Sequence, residues 1–371
     1  MACAAESAKA KKVKIPKLSI HRIMQTYHAP VLDHAHARTL WRGMQAQITD
    51  QSIAAAPQGY AWFKVVVLSA ALLGCLIAAW TCTSVLLLLA LCVAIAFLLA
   101  QCAFLGHDAG HGSLHSRAWL RALLGQWCMT VITGLCFEEW YARHSAHHRF
   151  CQDESRDPDM DVGVVVSLTA HARSRKRGLG LLMARYQHLH VWVLSLLFAY
   201  SQRYLSQWGA LVSPRRYGRD LLGLGLHFAL WIALPVWVLD VDAVRVVLVY
   251  LLPMLVLGPY LAAIFWLNHI GMPLIGNTDA ISFLEHQAIS SRTVLSPKGM
   301  DWFFGGLNYQ IEHHLFPNVP SFRLSRVQPI VQATLAQHSI AYQSAGFREA
   351  VRAVAAHFRH VAQADQGQST P

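Results

Sequence analysis

The chain has 371 residues, of which 54% are hydrophobic and only 14% charged, with a formal net charge of +11. A soluble domain carries about 25% charged residues, so an apolar excess gathered into long runs excludes an ordinary soluble protein. The positive balance needs no nucleic acid, because a surface resting on anionic lipid headgroups uses the same charge.

Residues 1–60 read as a polar segment, and the basic run KAKKVKIPK near its start as a solvated or lipid-facing tail. The first apolar run begins too late for a secretory signal. Ala61 to Leu105 is nearly unbroken, with Lys64 its only charge. That length predicts two crossings, at about 62–80 and 84–104, with TCTS (Thr81 to Ser84) as the turn between them. Trp119 to Phe137 is long enough to cross but contains Arg121, Gln126 and Gly134, and is expected to lie in the interface or dip partway in. Val191 to Tyr200 is too short to span and is expected to do the same. Two further spans fall at about 221–239 and 244–267, the latter kinked by Pro253 and Gly258-Pro259. Residues 61–325 thus form one membrane domain, 326–371 a second terminal segment, and the tail from Ala362 is expected to be disordered. Cys75, Cys82, Cys92, Cys102 and Cys128 lie in or beside apolar segments, and no C-x-x-C pair occurs, so they read as small core residues.

If four segments cross, residues 1–60, 105–220 and 268–371 share one side, and they hold 29 of the 31 lysines and arginines. The positive-inside rule places that side, with both termini, in the cytoplasm. The same regions hold three histidine clusters. GHDAGHGSLH contains His107 and His111 at i, i+4, with His115 beyond them; RHSAHHRF contains His144, His147 and His148; LNYQIEHHLFP contains Gln310, His313 and His314, and His269 ends the fourth span. Residues three or four apart share a helix face. Neutral imidazole is the usual ligand for iron, copper and zinc, and eight imidazoles suit a pair of ions rather than one. For the clusters to meet, Trp119 to Phe137 must not cross. Glu138, Glu139, Glu312 and Asp108 are near enough in sequence to orient ligand rings from behind. The acidic string Asp153 to Asp161 is either a further anchor or a solvated loop.

HDAGH, HSAHH and QIEHH resemble the three histidine boxes of the membrane fatty acid desaturase family, over about residues 60–325. The last box, with glutamine first, and the DPD after the second box are similar to the front-end acyl desaturases. The resemblance implies an all-α integral membrane protein: four transmembrane helices beneath a cytoplasmic helical cap that holds two iron ions. It implies removal of two hydrogens from an acyl chain with O2 and two electrons. By motif position the metal ligands would be His107, His111, His144, His147, His148, His313 and His314, joined by His269, with Gln310 standing where the wider family has a histidine. Many front-end enzymes carry a fused haem domain; residues 1–60 are too short for one and contain no H-P-G-G, so electrons from NAD(P)H are expected through a separate ferredoxin or small cytochrome and its reductase. The substrate would be a fatty acyl-CoA or an acyl lipid in the membrane. RSRKR (Arg173 to Arg177) is a candidate dock for an acidic donor or simply a lipid-facing patch. Trp140, Tyr141, Trp302, Phe303 and Phe304 are candidate tunnel or cap residues, or interfacial anchors. A hydroxylase, acetylenase or ketolase would use the same boxes. A metal transporter or sensor would need ionisable residues along a path through the spans, for which only His227 and Arg245 stand.

Overall fold

A computed structural model describes residues 32–364 apart from Gln58 and Lys298; the basic run near the start and the last seven residues lie outside it. The order of elements is α1 His34–Asp50, α2 Tyr60–Thr81, α3 Val85–Gly110, α4 Ala118–Gly125, α5 Phe137–Phe150, α6 Ala170–Ser174, α7 Gly178–Arg185, α8 Gln187–Leu194, α9 Phe198–Val212, α10 Gly218–Phe228, α11 Ala243–His269, α12 Phe283–Ile289, β1 Thr293–Leu295, α13 Gln310–Leu315, α14 Leu324–Gln337, β2 Ser344–Gly346 and α15 Phe347–Gln363. α4 and α10 run on into π-helical turns, Gln126–Thr133 and Ala229–Val238. Among the described residues the one departure from an all-helical fold is the three-residue parallel ladder of β1 with β2. Ala362 and Gln363, expected in a disordered tail, are the last helical residues of α15.

Among the described residues four helices are long and apolar enough to cross a membrane: Tyr60–Thr81, Val85–Gly110, Gly218–Val238 and Ala243–His269. Their outward faces carry large apolar side chains, with Leu86 80%, Leu222 78% and Trp237 82% exposed. That is the inverse of a soluble surface and the expected face toward lipid. The Ser84 hydroxyl caps the second span by accepting from Leu87 N, and Asp242 caps the fourth by accepting from Arg245 N at 2.9 Å. At about 1.5 Å per residue, 26 residues outrun a hydrocarbon core of about 30 Å, so the last turns of α3 project beyond it. Pro253 and Pro259 both lie inside the continuous helix α11. Gly258 lets the turn at Ser195 approach: a Cβ there would lie 2.4 Å from the Ser195 carbonyl oxygen.

The segment from Ala118 to Phe150 bends by 108° at the break between Thr133 and Phe137. Gly134 makes the corner at φ +73°, and an added Cβ would meet His227 Nε2 at 2.9 Å. The segment is thus a bent pair of helices and not one straight span. Its backbone carbonyls find partners on α9 and on the third span. Arg203 donates to Thr133 O, Gln207 to Gly134 O and His227 Nδ1 to Val131 O, while His227 Nε2 accepts from Tyr250. Irregular backbone at membrane depth is tolerated only when satisfied in this way. The completely buried Asp220 ties the hairpin to α10: Oδ1 accepts from Gln126 and from Glu138 N, and Oδ2 from Glu139 N, at 2.7, 3.1 and 3.0 Å. Its carboxylate thus caps the first turn of α5.

The cap has its own core. Ala37, Met44 and Ile48 of α1 pack on Leu284, Ile311, Leu315, Phe316, Val327 and Val331, so α1 and α14 hold the short helix α13 from above.

Candidate metal centre

Four elements bring the clusters together. His107 stands on the last turn of α3 and His111 just past its end; His144, His147 and His148 lie on α5; His269 ends α11; Gln310, His313 and His314 lie on α13. All three clusters and His269 meet in one buried place, which shows that Trp119 to Phe137 does not separate them.

The imidazoles form two sets. One ligand atom from each of His107, His111, His144 and His313 lies within 4.8 Å of every other. His148 joins this set, its Nε2 3.1 Å from both His144 Nε2 and His313 Nε2. The second set is His147, Cys151, His269 and His314, under the same limit. His111 Nε2 and His144 Nε2 approach to 3.0 Å. Two nitrogens bound at right angles to one ion at about 2.1 Å each would be about 3 Å apart.

The ring nitrogens behind the sets are fixed by hydrogen bonds, which sets the tautomers. His147 Nδ1 donates to Asp157 at 3.0 and 3.1 Å, His314 Nδ1 to Gln287 Oε1 at 2.8 Å, and His269 Nδ1 to Ser290 O at 3.4 Å. His107 Nδ1 faces Asp108 Oδ1 at 3.4 Å. On a neutral ring such a donation leaves Nε2 as an acceptor; that of His269 faces the Gln310 amide, and that of His314 is buried with no hydrogen-bond partner. A buried, unpartnered acceptor aimed among other imidazoles is what a metal ligand looks like before its ion is added, so the residues fit two metal ions.

Charge agrees. Burial, reinforced by neighbouring histidines, pushes the pKa values of His111, His144, His148, His313 and His314 well below the ordinary imidazole value. These rings are neutral, the state that binds metal. Burial opposes charge on His147 as well, but Asp157, with Cys151 and Asp159, outweighs it and lifts the pKa well above the usual range.

The supporting acids differ from those expected. Asp108 serves, and its Oδ2 also accepts from Ser321 N and Oγ, pinning the cap to α3. Glu139 is taken by Arg143 and Glu138 by Arg219. Glu312 accepts from Thr293 and Tyr342, and burial pushes its pKa up to about 7. The carboxylates of these three glutamates bond to other groups, not to the ligand rings, since adjacency in sequence put them on other faces. The acidic string divides: Asp157 is an anchor, whereas Asp153 binds Ser155 and Arg156 in its own turn. Asn268, Gln287, Ser290 and Cys151 were not foreseen as site residues. Asn268 adjoins His269 in WLNHIG, whereas Gln287 and Ser290 sit in no motif.

Gln310 lies beside His269, with Nε2 2.9 Å from His269 Nε2, and its Oε1 accepts from Asn268. His115 stays outside the sets and accepts from Arg117 N. Trp140 stacks on His144 at 4.5 Å, at the wall of the centre. Trp302 and Phe303 instead pack on Phe97, with their carbonyls held by Gln101 and Tyr260. The RSRKR run is largely absorbed by the backbone: Arg173 donates to Ala364 O, Lys176 to Gly163, Val164 and Val166 O, and Arg177 to Ser174 O.

Comparison with known proteins agrees with this geometry. A family model described as fatty acid desaturase matches residues 83–346. A Delta(8)-fatty-acid desaturase of Borago officinalis is 26% identical over 262 residues, covering 67% of this chain and 58% of its own length. An acyl-lipid (9-3)-desaturase of the same plant is 28% identical over 277 residues, covering 68% and 59%. A Delta(8)-fatty-acid desaturase of Helianthus annuus is 30% identical over 265 residues, covering 67% and 57%. The chain matches little more than half the length of these relatives.

Proposed function

The chain belongs to the fatty acid desaturase family, and from that premise we propose that it is a membrane-bound di-iron acyl desaturase of the front-end kind, with its active site and both termini in the cytoplasm. The observation that carries the reading is the pair of adjacent, largely buried sets of imidazoles at the end of two membrane spans. The first ion would be held by His107, His111, His144, His148 and His313. The second would be held by His147, His269 and His314, with Gln310 beside it. When bound, the two irons would supply the activation of O2, which with two electrons and two protons leaves as two waters while the chain loses two hydrogens. The protein's own part is geometric. Asp157, Gln287 and the Ser290 carbonyl hold ring tautomers, the hairpin keeps α5 in register with α3, and burial keeps water from the centre.

The substrate would be an acyl-CoA or an acyl lipid, and electrons would come from NAD(P)H through a ferredoxin or small cytochrome. A transport or sensing role fits less well. His227 is hydrogen bonded to Val131 O and Tyr250, and Arg245 to Cys82 O, so the two ionisable residues singled out in the spans hold the fold together instead of forming a path.

Expression in a host fed defined fatty acids, with mass-spectrometric location of new double bonds, tests the proposal. A new cis double bond between the carboxyl end and an existing one is the expected product. A hydroxylated, keto or acetylenic product would assign another oxidation to the same centre.

A further inference from the structure

We propose that the outer face of α15 is the docking surface for the electron donor, a small acidic redox protein. The inference rests on the reading above that electrons come from a separate protein. Its first observation is a stripe of charge. Arg348, Arg352 and Arg359 are all exposed, and at 100° per residue they fall within about 40° of one another around the helix. Ala350, Val354, Phe358 and Val361 are buried on the other side. The helix holds one acid, Glu349, whose charge reaches the buried Arg292. Arg175, exposed between α6 and α7, extends the basic surface, since both short helices pack against α15.

The second observation is a cleft of about 750 Å³ beside the first turns of α15, lined by Leu295, Pro297, Phe347, Arg348, Glu349 and Arg352. Leu295 and Phe347 are 46% and 43% exposed there. Apolar side chains beside arginines suit a protein interface, where aromatic residues and arginine are enriched. The third observation is position. The inner face of α15 packs on the end of α11, where Leu267 and Ile270 share a core with Val354 and Phe358. At Gly271, two residues past His269, an added Cβ would lie 3.5 Å from His357 Cβ and 3.7 Å from Ala353 O. A helix with its side chains is about 10–12 Å across, so a donor seated on the arginines is separated from the end of α11 by one helix thickness. Each encounter oxidises the donor by one electron and reduces the metal centre by one, so two encounters supply one turnover. Opposite charge on the donor would steer it to this face, an effect that salt screens.

Anaerobic stopped-flow mixing tests this. The oxidised, iron-loaded full chain, in discs of neutral phosphatidylcholine, is mixed with a reduced plant-type ferredoxin or a reduced acidic small cytochrome. The second-order rate of donor oxidation should fall at least about tenfold in Arg348→Glu/Arg352→Glu at low salt, and its dependence on added salt should flatten. Arg215→Glu/Arg216→Glu changes the net charge equally just before the third span, and should leave the rate within about twofold. Dithionite, a small reductant that needs no dock, should reduce the wild type and both variants alike, which shows that the centre is intact in each. An unchanged rate in Arg348→Glu/Arg352→Glu would overturn the proposal, and weaker binding of its discs to phosphatidylglycerol vesicles would then assign the stripe to lipid. A rate lowered equally by the Arg215→Glu/Arg216→Glu pair would overturn it too, as would a wild-type chain that dithionite reduces and neither protein does. A chain without iron that dithionite can reduce would instead sink the di-iron reading itself.

Discussion

Single residues in the centre make separable predictions, because some would hold metal and others hold the holders. His147→Ala removes a proposed ligand ring that Asp157 orients, so iron content and activity should fall together on elemental analysis and product assay. Asp157→Asn keeps the ring but changes what its Nδ1 meets; iron affinity should fall by about 10–100-fold, the usual cost of losing a partner behind a ligand. Gln310→Ala should keep most of the iron yet lose much of the activity, since its amide neighbours His269 without offering a donor. Full activity and an unchanged double-bond position in Gln310→His would show that glutamine has no special role. Protonation gives a further test on iron-free protein. His111, His144, His148, His313 and His314 have folded pKa values below the unfolded value near 6.5, so the unfolded chain takes up protons first as pH falls. Stability should be full above that value and fall below it, by up to about 1.4 kcal/mol per pH unit for each such histidine. His147, lifted instead, acts in the opposite sense above that value, where only the folded state holds its proton, and adds little slope once the unfolded chain is protonated too. Denaturation of chelated protein between pH 7.5 and 5.5 measures it, and a flat profile would mean that these rings are not buried neutral. The rings that meet were legible in the sequence because helical spacing repeats within each box. Gln287 and Asn268 were not, because each acts through one hydrogen bond from a segment distant in sequence.

Elements were legible where a pattern runs along one stretch of chain and obscure where a contact joins two. Apolar length gave the four spans, and Arg121, Gln126 and Gly134 marked the segment that turns back. Nothing in the sequence announced that Asp220 would cap α5, since the residues it joins are 81 and 82 positions apart. Asp220→Ala should therefore be disproportionately costly. It strips acceptors from Glu138 N, Glu139 N and the Gln126 amide, at about 1–3 kcal/mol for each donor left buried and unsatisfied. The melting temperature in detergent should drop, and iron should be lost with it, because α5 would carry proposed ligands to both ions. A melting curve unchanged by the substitution would mean that the hairpin is held elsewhere. The little β1–β2 ladder was equally invisible: three residues in each strand are too few for any period to show.

At the scale of the whole molecule, the centre exists only if every box faces one side of the bilayer. The close approach of His111 to His144 and of His148 to His313 satisfies that condition within the protein, across 33 and 165 residues of sequence. Which side it is rests on charge: 29 of 31 lysines and arginines fall in the three regions that flank the spans on the histidine side. Inserting so many cations on the outer face would oppose both the translocation bias and the attraction of the inner leaflet's anionic lipids. Tags at the N-terminus, in the loop near Arg175 and at the C-terminus should accordingly all resist protease added outside intact cells, and all become accessible once the membrane is opened. The loop tag discriminates most sharply, because it lies between the re-entrant hairpin and the third span. Cleavage at the loop and the C-terminus, with the N-terminus protected, would require Trp119 to Phe137 to cross, which would part the first box from the second and dissolve the metal centre. Cleavage at all three would keep the centre intact and reverse the protein, placing its supply of electrons on the opposite face of the membrane.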